Sequence, residues 1–412
     1  MVIVDDLKAL NSTQRAAFFA SFLGWALDAF DYFLLTFILK DIATEFHTQV
    51  SEVSNAVLLT LVARPFGAFV FGRLADRFGR KPVLMADVTI YSVLALASAF
   101  SPNLWVLLGL RFLFGFAMGG EWGIGASLAL ETIPVKSRGI VSGILQEGYP
   151  AGFFLASLAN LALPFIGWRG MLMLGIIPAL LIMFIRRHVP ESPAWEAERR
   201  AGGAGAKSFA AAMKGHWGLM LYAMVLMTCF NCFSHGSQDQ YATFLRVQHK
   251  FSPALVTACT MALNVGAVLG GLIFGSLSER IGRRRAIVLA VLLALPIIPL
   301  WAFSSTPLLL GLGAFLIQIA VQGAWGVVPV HLNELSPAEA RGAFPGFVYQ
   351  LGNLIAAGIV IIQPRIAEAH GDNYALALSL TIAVVAVVLS LVTWFGPEAK
   401  GRSFEAATAP AP

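Results

Sequence analysis

An all-α integral membrane protein of twelve spans, built as two related halves of six helices, is the fold class this sequence predicts. Three observations carry that expectation. Apolar runs of membrane-crossing length recur from end to end, charge is scarce, and a charged loop motif returns at one fixed offset.

The chain has 412 residues, 58% of them hydrophobic and only 12% charged, with a mean hydropathy of +0.75. A soluble protein of this length needs far more charge to cover its outside. A helix of about 20 apolar residues crosses the ~30 Å hydrocarbon core, and an open sheet in lipid leaves its backbone polar groups unsatisfied, so the spans are expected to be helices. They read as residues 16–38, 53–73, 83–101, 104–132, 139–163, 168–186, 217–246, 254–277, 286–303, 307–335, 342–363 and 373–395. The polar first fifteen residues lack a small-residue cleavage site, so span 1 is expected to be retained and not removed as a signal peptide.

Of the 28 Lys and Arg, Lys40, Arg169, Arg246, Lys250 and Arg365 fall on one side of these spans, and Arg64 and Arg111 fall inside them. The others gather on the opposite side, the basic face. By the positive-inside rule that face is cytoplasmic and holds both termini, which places the chain in the inner (plasma) membrane. The net charge of +5 reflects this bias and gives no reason to expect nucleic acid. Cys229 and Cys232 form a lone CxxC within a span, which reads as a packed pair and not as a metal or redox site. The stretch "AGGAGAKS" (201–208) has Ala206 where a phosphate loop requires Gly, so a flexible linker is expected. No nucleophile–base set emerges, and the chain is not expected to be an enzyme or to carry a metal or cofactor.

The repeat is the strongest organisational signal. "GRLADRFGRK" (72–81) returns 203 residues later as "GSLSERIGRR" (275–284), and the same offset brings "ETIPVKSRG" (131–139) onto "ELSPAEARG" (334–342). The domains are therefore an N-terminal bundle 1–186, a cytoplasmic linker 187–216, a C-terminal bundle 217–396 and a tail 397–412. Gly72 and Gly79 are expected to permit a tight turn. Asp76, Arg77, Arg80, Glu131 and Arg138, with Glu279, Arg280, Arg283, Glu334 and Arg341, alternate acid and base at helix ends, where they can pair and part again. These are the candidate gating residues.

The duplicated loop, "RFLFGFAMGG" (111–120) in span 4, and "PESPAW" (190–195) and "PEAKGR" (397–402) after spans 6 and 12 together resemble the major facilitator superfamily. That resemblance implies two pseudo-symmetric bundles around a central site and alternating access by rocking of one half on the other.

Ionisable residues inside spans are costly and therefore functional candidates. Asp28 and Asp31 of span 1 share a helix face. Asp28 falls opposite Asn231 at the 203 offset, so the polar patches of spans 1 and 7 are expected to face one another. Arg64 of span 2 needs an anion: Asp28, Asp31, Glu147 or a substrate carboxylate, which its fork suits. Glu121, Trp122, Gln146 and Glu147 sit near mid-membrane. Asp87 is expected in an ion pair at the cytoplasmic face, and Arg111 with Gly115 and Gly119 in helix packing. Trp105, Trp168, Trp217, Trp301 and Trp394 read as interface anchors.

In "NCFSHGSQDQYAT" (231–243), Asn231, Ser234, His235, Gln238 and Asp239 fall within an arc of about 140° on an ideal helix, one polar stripe suited to a water-filled path. Asp239, ~12 Å beyond Asn231, is placed near the outer mouth. The stretch resembles, position for position, the N-x-x-[S/T]-H-x-[S/T]-Q-D-x-x-x-T pattern of the Jen-type lactate and pyruvate:proton symporters of the sialate:proton symporter family. That resemblance implies a monocarboxylate, lactate or pyruvate, moved with a proton; another organic acid, sialic or aromatic, and a non-transporting membrane sensor are the alternatives, and the protein is expected to function as a monomer. The resemblance carries over Asn231, Ser234, His235, Ser237, Gln238, Asp239 and Thr243 as functional candidates, and Arg64 as the carboxylate binder. Arg64, Asn231, Ser234, His235, Gln238 and Gln146 make the expected substrate site; Asp28, Asp31, His235, Asp239 and Glu147 are the expected proton carriers.

Overall fold

The structure, a computed structural model, describes residues 10–200, 209–402 and 404; the linker stretch 201–208 lies outside them. The described chain is helical throughout. Eleven stretches are long and apolar enough to cross a membrane, and one of them, Val135–His188, holds two spans because it folds back at Gly167, whose φ is 65°. Twelve spans result.

Spans 1 to 4 are the helices Ser12–Phe37, Val50–Phe78, Arg80–Ser98 and Leu104–Thr132. Spans 8, 9 and 12 are Pro253–Ile281, Arg283–Ala302 and Tyr374–Phe395. The other spans are interrupted, which apolar run length does not signal. Span 5 breaks at Glu147 between Arg138–Gln146 and Gly148–Ala159, and span 10 breaks between Pro307–Trp325 and Val328–Leu335. Pro150 and Pro329 lie just past these breaks; each lacks the N–H that would bond the carbonyl four residues back. Span 7 is Trp217–Gln238 followed by Tyr241–Val247, and span 11 is Phe344–Ala356 followed by Ile359–Ala369. Broken helices suit a protein whose irregular backbone faces an interior path.

Two sequence features acquire a mechanical role. Gly79 and Gly282, with φ of 107° and 97°, make the turns between spans 2 and 3 and between spans 8 and 9. The helix that starts at each turn is capped from far along the chain. Glu191 of "PESPAW" accepts the backbone N–H of Arg80 (2.9 Å) and of Lys81 (3.2 Å), and Glu398 of "PEAKGR" accepts those of Arg283 (3.3 Å) and Arg284 (3.0 Å). A carboxylate there meets the free donors and positive dipole end of the first turn.

Gly72, by contrast, is no turn residue. It lies inside span 2, and a Cβ added to it would run into the Cα of Ala343 in the other half. Trp168 and Trp301 are no interface anchors either. Trp168 is buried and donates to Glu45 at 2.6 Å, while Trp301 is buried and stacks on Tyr241 at 5.5 Å. Trp105, Trp217 and Trp394 do stand exposed.

Candidate functional site

The polar contacts that join the halves gather at the basic face. Asp76 accepts the N–H of Gly342 at 2.7 Å, and Glu279 accepts that of Gly139. Ser127 donates to Asn333 (2.9 Å) and Arg341 (3.0 Å), and the Ser142 hydroxyl accepts the N–H of Val330 at 3.1 Å. Behind these bridges each half carries a buried ion cluster. Arg80 holds Asp76 and Glu131, both at 3.2 Å, and Arg283 holds Glu279 and Glu334, both at 2.9 Å. Arg341 of the second half reaches Glu131 at 3.8 Å. Arg138 donates to the carbonyls of Leu130 and Arg402, and its guanidinium and that of Arg341 flank the ring of Phe404. Arg77 and Arg280 stay outside both clusters and lie exposed, because one residue past Asp76 and Glu279 a helix turns ~100° away.

Above this closed face, aromatic rings from both halves meet. Tyr349 of span 11 packs 4.5 Å from Trp122 and 6.3 Å from Trp25, and Trp25 lies 5.4 Å from Tyr149. Arg64 lies beside them. Its Nη2 is 3.1 Å from Asp28, its guanidinium is 5.6 Å from the Tyr32 ring centre, and it interacts electrostatically with Tyr349 across the halves. Asp239 of span 7 in turn interacts with Tyr32 and Tyr149 of the first half. Of the anions open to Arg64 in the sequence, Asp28 is the one it meets.

The span 7 stripe is internally bonded. His235 Nδ1 lies 2.9 Å from Asp239, its Nε2 lies 3.0 Å from Asn353 of span 11, and Gln238 donates to Ser234 at 3.3 Å. The His235 and Asp239 side chains are 28% and 29% accessible, whereas Asn231 and Ser234 of the same stripe are buried. Ser237 points the other way, taking a bond from Gln318 inside its own half. Asn231 donates to the Met227 carbonyl.

Asp31 does not face span 7. It is buried in the first bundle, in the field of Arg111 and close to Gly175 of span 6; the ~60° between it and Asp28 on the shared helix face gives the two different neighbours. Asp28 and Asn231 each serve their own half, and aromatic rings occupy the space between the halves at that depth. Asp87 is in no surface ion pair. It is fully buried near Gly120, and neither carboxylate oxygen meets a donor among the described residues. The same holds for both oxygens of Glu121, which lie against Gly24, and of Glu147, which lie against Gly271 of the second half. Gln146 accepts from Trp122 at 3.4 Å.

This geometry sits in a chain that the profile of the sugar (and other) transporter family matches twice, over residues 16–216 and 216–408. The chain belongs to that family, within the major facilitator superfamily. A carboxylic acid transporter protein homolog of Saccharomyces cerevisiae is 30% identical over 95% of this chain and 67% of its own length. The sialic acid transporter NanX of Escherichia coli is 28% identical over 98% of each chain. The proton:xylose symporter XylE, solved with 6-bromo-6-deoxy-D-glucose, superposes with a TM-score of 0.76 over 95% of this chain and 98% of that one. At 18% identity this is a likeness of fold.

The central residues lie on both halves, and the sequence reading missed several of them. Tyr349, Gln350 and Asn353 belong to span 11, whose apolar run drew no attention. The signal was present: the 203 offset applied to Gln146 and Glu147 of span 5 lands on Tyr349 and Gln350.

Proposed function

We propose that the protein is a proton-coupled symporter of a small monocarboxylate, most consistent with lactate or pyruvate, working by alternating access. The observation that carries this reading is the buried Arg64, held 3.1 Å from Asp28 beside tyrosines of both halves. A guanidinium locked to a carboxylate cannot also clamp a substrate carboxylate. Protonation of Asp28 removes that competitor, so a proton and an anion load together and cross as a neutral pair. The clamp is two-pronged, which suits a planar carboxylate. His235, Asn353, Ser234 and Gln238 supply hydrogen bonds from the second half, and His235 with Asp239 offers an entry point for the proton at the accessible end. The buried carboxyls Asp31 and Glu147 are further proton carriers in this scheme. The basic face is cytoplasmic, so the present conformation is closed inward, and the carrier functions as a monomer in the plasma membrane.

The deciding experiment reconstitutes purified protein in vesicles and follows uptake of labelled acids driven by an inward proton gradient. Lactate or pyruvate accumulation that collapses with the gradient and is lost in Arg64→Lys supports the reading. Uptake unchanged in Arg64→Lys overturns the clamp. A second reading keeps the mechanism but changes the cargo to a larger organic acid, sialic or aromatic, and rests on the similarity to NanX. In the same assay, competition of labelled lactate by unlabelled sialic acid or benzoate separates the two.

A further inference from the structure

At the basic end of the second half a cavity of about 340 Å³ is walled by Arg280, Arg284, Arg285, Lys400, Glu398 and Trp394. Its charge is not internally balanced. Glu398 accepts the backbone N–H groups of Arg283, Arg284, Ala399 and Lys400, so its oxygens serve the helix end and do not neutralise the side chains around it. These bonds, against the opposing effect of burial, hold its carboxyl below the usual carboxylate range and keep it an anion committed to the backbone. Arg284 spends its Nε on the Thr393 carbonyl, and Lys400 donates to the Arg280 carbonyl, which fixes both at the rim. Arg280 and Arg285 stand exposed and meet no carboxylate among the described residues.

The positive-inside rule explains loop arginines but not a walled cavity with an indole on its lip. Trp394 is 50% exposed and Phe395 81%, at the end of span 12. Along the same helix Leu391 and Val387 are exposed, and Leu289 and Leu292 are exposed on span 9, which packs against it. The cavity thus caps an apolar, outward-facing surface of two packed helices. A cationic pocket over a lipid-facing surface, with an aromatic at headgroup level, has the chemistry of an acidic headgroup site. The first half does not copy it: the 203 offset puts Pro82 where the second half has Arg285.

We propose that this cavity binds the phosphodiester headgroup of an anionic phospholipid whose acyl chains lie along spans 9 and 12. A soluble phosphate shares the charge but has no use for the apolar surface below the pocket, which is why the assignment is to a lipid. The bound lipid would tie span 9 to the chain after span 12 and hold the basic end of the second half as one piece.

The test is native mass spectrometry of the purified full chain in detergent, offered dioleoyl phosphatidylglycerol, dioleoyl phosphatidylcholine or inorganic phosphate. Wild type should retain one phosphatidylglycerol in preference to phosphatidylcholine. Arg285→Gln with Lys400→Gln should lower that retention about thirty-fold, the order expected for two cationic contacts to an anionic lipid. Arg186→Gln with Arg187→Gln, which removes the same charge from the first half, should leave it unchanged. Thermal melting of each protein confirms folding, since all four side chains are exposed. Equal retention by the Arg285/Lys400 variant, an equal loss in the Arg186/Arg187 variant, or stabilisation by inorganic phosphate without retention of phosphatidylglycerol overturns the proposal.

Discussion

The two halves share a fold and differ in what they bury. Laid on one another at the 203-residue offset, Asp28, Asp31 and Glu147 of the first half meet Asn231, Ser234 and Gln350 of the second. Arg64, Asp87, Arg111 and Glu121, each buried, meet Ala267, Ala290, Ala314 and Ala324. Acid becomes amide or hydroxyl, and isolated charge becomes a methyl group. Away from the basic-face cluster, the second half fills the matching depth with amides and imidazoles, among them Asn231, Gln318, Gln363 and the His235–Asn353 contact. Duplication supplied two related bundles, and among the described residues the buried span carboxylates with no hydrogen-bond donor to either oxygen, Asp31, Asp87, Glu121 and Glu147, all belong to the first, whereas the second offers the partly accessible His235–Asp239 pair and a buried His331. Buried charge without a partner is expensive, so keeping it on one side confines that cost while the other side stays free to select a ligand by shape and hydrogen bonds.

The comparison breaks most severely at Arg64. Arg64→Gln should abolish proton-driven uptake and, by leaving Asp28 as an uncompensated buried charge, should cost about 3–5 kcal/mol of stability. Adding Asp28→Asn should restore the melting temperature but not the uptake. Recovery of uptake in the double variant would show that the pair is a structural brace alone.

A milder change makes the first half resemble the second. Asp28→Asn and Glu147→Gln, tested singly, should spare exchange of labelled for unlabelled lactate across equal pH while reducing gradient-driven accumulation at least ~10-fold, the scale on which loss of a proton-transfer group is felt. Gln350→Glu, the reverse exchange, should not add a second coupled proton, because coupling in this scheme runs through the Arg64–Asp28 pair of the first half. A gain in proton-to-substrate ratio in that variant would refute the division of labour.

Where the halves touch, Gly72→Val should wedge the basic face apart, since even a Cβ collides with Ala343. Cysteine labelling from the basic side at Ser142 should quicken about ten-fold if the equilibrium moves by ~1.4 kcal/mol. An unchanged rate would mean that the neighbouring backbone yields instead.

The smallest effect sharpens the comparison at the helix caps. Burial raises the Glu191 carboxyl above its ordinary range, whereas Glu398 is held below its ordinary value near 4.5. A depressed carboxyl contributes stability that is present above its unfolded pKa and lost as pH falls through the folded one; a raised carboxyl contributes stability that is lost as pH rises. Between pH 7 and 3, hydrogen exchange at the start of span 9, corrected for intrinsic rate, should therefore accelerate as pH falls below about 4.5, while that at the start of span 3 should slow or hold. Glu398→Gln should remove the response at span 9 only. Parallel behaviour of the two ends would mean that the caps are equivalent.

Much of the architecture was legible in the residues. Span number, the duplicated loops, the basic face and the polar stripe of span 7 rest on local composition and spacing, and these are properties a chain carries before it folds. The interruptions of spans 5 and 10 were harder to read, because Pro150 and Pro329 sit in runs whose hydropathy hides them. Asp87 was assigned by its distance from a loop and Arg77 by its place in the duplicated motif, and neither says which way a side chain points.

By itself the sequence determined that this is a helical membrane protein in two related halves, because lipid forces every apolar run to close its own backbone hydrogen bonds within itself. It also named the residues that carry polarity into the bilayer. Only the tertiary structure decided which of them meet: that Arg64 takes Asp28 and not Asp31 or Glu147, that Glu131 bridges to Arg341, and that Tyr349 and Asn353 complete the centre. Those choices depend on how each helix is rotated against its neighbours, and that rotation is set by the close approach of whole faces and not by any local run of residues.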